Sequence, residues 1–277
     1  IDLSSFEIIK KNSPNLIDKN YLPNYTAGLT FFIAVAATNL FHQGNWQRVF
    51  SAKNNSILKS SLIYSSIIIF FIVFWMGYSG LLSYSLNPKV IPDLAFFDLI
   101  LNEKNSLLVI GILILAMSLT LSTIDTLINA ISSLIIVNGN QINKNLSGKK
   151  VKDQANIIIL LLSVLVFILA SKGYSILYLF LLADLLCCAA VITIFYGFFN
   201  KKINSKLAAY SIICGLISGL LFFPSQNFQS SILVGNLISI ENFSILIKTN
   251  LLFVSFATSL IVPFLMILTY SLRNSFK

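Results

Sequence analysis

An all-α polytopic membrane protein is the fold class this sequence predicts, and three observations carry it. Of the 277 residues, 56% are hydrophobic and 10% are charged, too few charges to cover a water-facing surface. Apolar runs recur at the length of about 20 residues that a bilayer-spanning helix needs. The connections between the runs alternate between basic and mixed charge, as the positive-inside rule requires. A soluble globular fold is excluded by the composition alone.

Seven spans follow, at 27–47, 57–84, 106–137, 155–171, 174–199, 206–224 and 249–272, designated A to G. Pro14, Pro23, Pro88, Pro92 and Pro224 sit in or beside connections and mark boundaries, whereas Pro263 lies within G and can kink it. The outer segments 1–26 and 85–105 are long enough for short surface helices. Of the 19 basic residues, one set (Arg48, Lys53, Lys59; Lys144, Lys149, Lys150, Lys152; Lys201, Lys202, Lys206; Arg273, Lys277) gathers in alternate connections. Lys10, Lys11, Lys19, Lys89, Lys104, Lys172 and Lys248 lie in the others, beside most of the acids. This asymmetry places the amino-terminal segment outside and the carboxyl terminus inside the cytoplasmic membrane. Topology therefore accounts for the net charge of +9 and leaves no case for a nucleic-acid partner. The chain begins at Ile1 and has no leader-like stretch, and it reads as a piece of a longer polypeptide.

Cys187, Cys188 and Cys214 fall inside apolar runs and behave as small hydrophobes, so neither a disulfide framework nor a zinc site is expected. There is no serine elbow, no hydrolase grouping of His, Cys and Asp, and no glycine-rich phosphate loop, so no enzyme chemistry and no organic cofactor is expected.

Two acids lie at membrane depth, Asp125 in C and Asp184 in E. Each would cost at least about 2.5–3.5 kcal/mol facing lipid at the bilayer centre, so each must face protein, water or a cation. In C, Ser118, Ser122, Asp125, Asn129 and Ser132 recur at helical spacing on one face, flanked by Thr123 and Thr126. That stripe extends about 21 Å, most of the hydrocarbon thickness. Hydroxyl, carboxylate and amide oxygens are hard ligands suited to alkali and alkaline-earth cations; alternatively, Ser and Thr hydrogen-bond neighbouring helices together. Helix A carries a second polar group, Thr38, Asn39, His42, Gln43 and Asn45, followed by Trp46, Gln47 and Arg48. A lone His such as His42 serves either as a packing or interfacial residue or as a proton carrier.

Three stretches resemble the sodium:solute symporter family. Asn39-Leu-Phe-His-Gln-Gly-Asn-Trp-Gln-Arg-Val-Phe-Ser-Ala-Lys53 is similar to a family helix that ends in aromatics, Gln-Arg and a small-residue-Lys tail at the cytoplasmic face. Ser122-Thr-Ile-Asp-Thr-Leu-Ile-Asn-Ala-Ile-Ser-Ser133 resembles the helix whose adjacent hydroxyls hold sodium. Phe195-Tyr-Gly-Phe-Phe-Asn-Lys-Lys202, running on to Ala208, Gly215 and Gly219, is similar to a family junction.

The resemblance implies half of a five-plus-five inverted-repeat, leucine-transporter-like secondary transporter. Residues 1–26 would be an extracytoplasmic segment, 27–199 the five-helix second repeat, and 200–277 two accessory helices. The first repeat, the missing amino-terminal half, would supply the rest of the site. Carried over residue by residue, the sodium ligands would be the hydroxyls of Ser122 and Thr123 with the Leu119 carbonyl, and a second ion would meet Asp125 and Thr126. Asp125 departs from the family's hydroxyl there. The family's gating aromatic aligns with Thr38; Thr38, Asn39, His42 and Asp184 would be solute contacts. No Gly or Pro before Gly44 announces a break in A. The function implied is symport of a small polar organic solute with sodium as coupling ion, by alternating access. The alternative is a transporter-like membrane sensor module of a signalling protein, which a long soluble extension after Lys277 would favour.

Overall fold

The computed structural model describes residues 3–101, 106–142, 148–200, 203–226, 228, 230, 231, 233 and 250–275. The expected cytoplasmic residues Lys144, Lys201, Lys202 and Lys277 lie outside the described residues, as do Glu103 and Glu241. Among those described the chain is helical, with one isolated antiparallel bridge between Pro224 and Ser231. The helices are α1 (Leu3–Asn12), α2 (Leu22–Phe41), α3 (Gln43–Ser51), α4 (Asn55–Leu86), α5 (Ala95–Leu101), α6 (Ser106–Ile142), α7 (Gly148–Ala170), α8 (Ile176–Phe199), α9 (Ser205–Phe222) and α10 (Leu251–Ser275).

Among the described residues, six helices are long and apolar enough to cross a membrane: α4, α6, α7, α8, α9 and α10. They match the expected spans B to G to within a few residues, except that α7 starts earlier, at Gly148. Span A differs from the expected continuous helix over 27–47. It divides at His42 into α2 and α3, and α2, which carries Asn24, Thr26, Thr30, Thr38 and Asn39, is less apolar than the other six. The segments 1–26 and 85–105 hold the short helices α1 and α5, each with a one-turn 3₁₀ helix nearby at Pro14–Leu16 and Pro92–Leu94.

Helix starts follow local chemistry. The Asn54 side chain accepts from the Ile57 amide at 2.8 Å, capping α4, and the Asn204 side chain accepts from the Lys206 amide at 3.2 Å, capping α9. After α7 the chain turns through Gly173 at φ 69°, a left-handed conformation that a residue without Cβ adopts freely.

The chain forms two compact units. Unit 1 comprises residues 1–14 and 42–174, and unit 2 comprises 15–41 and 175–277. In unit 1, α1 and α5 pack on α4, α7 on α6, and α3 on α6. Polar groups tie the end of α4: Asn12 Nδ2 donates to the Ser85 carbonyl at 2.8 Å, and Ser83 Oγ to Asp98 Oδ2 at 3.1 Å. The most apolar stretches of α4 and α6 have no residue buried within the protein, the state of helices whose side chains meet lipid tails or further helices.

In unit 2, α2, α8, α9 and α10 share a core of Ala34, Ala37, Tyr178, Leu181, Leu185 and Cys188 with Phe223 and Phe256. Helices α9 and α10 approach closely where small residues face each other. Ser255 Oγ donates to the Gly219 carbonyl at 2.7 Å. Ser218 and Thr258 hydroxyls donate reciprocally to each other's carbonyls at 3.3 and 3.2 Å. Pro263 lies inside α10 and lacks the amide that would bond the Ser259 carbonyl; Gly215 packs against that carbonyl and the proline ring. All three cysteines are free thiols, and Cys188 is fully buried.

Candidate functional site

The division of span A places its polar residues differently. Thr38 and Asn39 are helical, in the last turn of α2, and Asn39 Nδ2 donates to the Val35 carbonyl one turn back at 2.8 Å. His42 is the non-helical residue before α3, with φ −72° and ψ 103° and no side-chain cap. Its carbonyl instead accepts from the Asn45 amide at 2.9 Å. The His42 ring lies over Gly44, and a Cβ added there would meet His42 Cε1 at 2.9 Å and Thr126 Cγ2 at 3.4 Å. His42 Nδ1 is buried without a hydrogen-bond partner among the described residues. Gln47 Nε2, one turn further along α3, donates to Ser133 Oγ at 2.9 Å. Within unit 1, α3 thus packs on the α6 face formed by Thr126, the buried Ala130 and Ser133.

The predicted polar stripe of α6 is the neighbouring face. Ser118, Ser122, Asp125 and Asn129 are exposed in unit 1, about a quarter turn from the face that α3 covers. The hydroxyls are engaged along the helix: Thr123 Oγ1 donates to the Leu119 carbonyl at 2.9 Å and Thr126 Oγ1 to the Ser122 carbonyl at 2.9 Å. This orientation leaves the lone pairs of Thr123 Oγ1 free to accept or to ligate. It also occupies the Leu119 carbonyl, which would have to exchange the hydroxyl to ligate an ion. No group of three or more His, Cys, Asp or Glu side chains able to hold a metal occurs among the described residues, so any cation here would rest on neutral oxygens and a single carboxylate.

In unit 2 the structure joins two of the expected solute contacts. Thr38 Oγ1, on α2, donates to Asp184 Oδ1, on α8, at 2.5 Å. Asp184 is 7% exposed, whereas Thr38 is half-buried, so the carboxylate lies one side chain beneath the surface of the unit. Below it, Cys188 Sγ is 3.8 Å from the Ile33 carbonyl. The half-buried Cys187 thiol reaches the same Thr38 hydroxyl. Sequence reasoning missed this thiol as a member of the group, although its position three residues after Asp184, on the same helical face, signals it. The sequence required a partner for Asp184; the fold supplies a hydroxyl.

No family model matches this sequence, and no solved structure matches it. It is similar to "Spermidine transporter DUR31" of Candida albicans, 26% identical over 218 residues. The similarity covers 76% of this chain, which spans 40% of that protein's length. The six apolar, membrane-length helices agree with that likeness to a membrane transporter.

Proposed function

We propose that this chain is part of a sodium-coupled symporter that carries a small polar organic solute into the cell by alternating access. An amine of the spermidine type is the first solute to try, because the similar protein is a spermidine transporter. The observation that carries the reading is the oxygen stripe of α6, with Ser122, Thr123 and Asp125 at the middle of a helix rich in Leu and Ile. Hard oxygen donors at membrane depth suit an alkali cation. In unit 1 the helix α3 packs beside the stripe and leaves it open.

In this reading Ser122 and Thr123 hold the sodium ion, Asp125 and Thr126 stand where a second cation would bind, and the missing amino-terminal half of the polypeptide closes the site. The chain supplies the second repeat of a leucine-transporter-like fold, with α9 and α10 as accessory helices and the carboxyl terminus inside. Each sodium ion brings about 2.3 kcal/mol per 100 mV of membrane potential, before any concentration gradient.

The test is uptake of labelled spermidine by the full-length polypeptide in sodium medium and in choline medium at matched membrane potential. Uptake that requires sodium is the expected result. Equal uptake in the two media overturns the coupling.

A further inference from the structure

Asp184 is the single acidic residue of α8, set between Ala183 and Leu185 well inside a span whose other residues are nearly all apolar. The elements packed on α8 are α2, α9 and α10. Their charged residues are few and terminal: α2 has none, α9 has Lys206 in its first turn, and α10 has Arg273 in its last. Among the described residues no basic side chain forms an ion pair with Asp184, whose hydrogen-bond partner is the neutral Thr38 hydroxyl. Asparagine would accept the same hydrogen bond with no charge to bury. Among the described residues nothing basic offsets a charge at this position, so a carboxylate here, unlike an asparagine, suits a cation that comes from outside unit 2.

We infer that Asp184 is the counter-ion for a protonated amine on the transported solute, with Thr38 as its orienting partner. The inference rests on the symporter reading above and assigns that solute's chemical class and its anchoring residue. A primary ammonium carries three donors. Two can reach the Asp184 carboxylate and one the Thr38 oxygen, whose lone pairs stay free while its proton is given to Asp184 Oδ1. Thr38 and Cys187, each half-buried, are the polar side chains grouped with the carboxylate. This site is built from α2 and α8 of unit 2 and shares no residue with the oxygen stripe of α6.

The experiment measures half-saturating spermidine and half-saturating sodium separately, together with membrane abundance, in the full-length polypeptide and in Asp184→Asn, Asp184→Glu and Thr38→Val. Removal of the charge with the acceptor oxygen retained is expected to raise half-saturating spermidine about tenfold to a hundredfold. Half-saturating sodium, read at saturating spermidine, and abundance stay unchanged, and Asp184→Glu recovers part of the loss. Thr38→Val keeps the charge and raises half-saturating spermidine about two- to fivefold; it decides the matter if Asp184→Asn does not reach the membrane. Wild-type spermidine dependence in Asp184→Asn, or in Thr38→Val when that variant must decide, overturns the assignment, as does a wild-type protein that takes up no spermidine. Spermidine uptake independent of sodium defeats the coupling reading alone, because the shift on Asp184→Asn is still read in that case.

Discussion

Replacing Gly215 with Ala tests the close contact between α9 and α10. A Cβ at position 215 would lie 2.4 Å from Pro263 Cγ, 2.9 Å from Pro263 Cδ and 2.9 Å from the Ser259 carbonyl oxygen. Carbon atoms in good contact sit about 3.5–4.0 Å apart, so α9 and α10 must separate by about 1 Å. Neither obstacle is a flexible side chain. One is a ring fused to the α10 backbone and the other is the backbone itself, so the strain falls in the overpacking range of about 1–3 kcal/mol. Against it stands the helix-propensity gain of Gly→Ala, at most about 1 kcal/mol. The net expectation is a loss of about 1–2 kcal/mol, or about 2–8 °C in Tm at the usual sensitivity for a protein of this size. Gly197→Ala is the control, because a Cβ there has no atom within 4 Å and only the propensity gain applies. The assay is the fraction of purified protein that remains monodisperse after heating in detergent. If Gly215→Ala proves as stable as Gly197→Ala, the close packing of α9 on α10 described here is wrong.

Three further outcomes are expected. If the proposed sodium site is right, Ser122→Ala and Thr123→Ala each raise the sodium concentration for half-maximal uptake, because each would remove a proposed oxygen ligand where the membrane offers no substitute; wild-type sodium dependence in both would make the stripe a packing feature. With Cys187 and Cys214 replaced by Ser, the remaining Cys188, which is 0% exposed, takes up a membrane-permeant maleimide only after denaturation. Labelling of the native protein would disprove its place in the unit 2 core. Asn204→Ala removes the cap of α9 and costs about 0.5–2 kcal/mol, read as a lower midpoint in the same heating assay; an unchanged midpoint would mean that this helix start needs no cap.

Much of this protein is legible in the order of its residues. Spans B to G stand out because hydropathy adds up locally along a chain, and a run of Ile, Leu and Phe between Asn54 and Asn87 forms one long helix whatever lies beside it. The α6 stripe is legible for a similar reason: Ser118, Ser122, Asp125 and Asn129 share a face through helical periodicity alone. Energetics along the chain also required a partner for Asp184, but not which partner. Thr38 is 146 residues away and its Oγ1 meets the carboxylate only because α2 and α8 pack through Ala34, Ala37, Leu181 and Leu185. The interruption at His42 has no local signature, since neither glycine nor proline precedes it. It marks the point where the chain leaves one compact unit for the other, which a sequence pattern does not record. Gly215 and Gly219 show in the sequence that some backbone approaches closely there. That the approaching backbone is Ser255, Ser259 and Pro263 was decided by the tertiary structure, because helix pairing depends on the complementary shape of two faces, and shape arises only when distant parts of the chain meet.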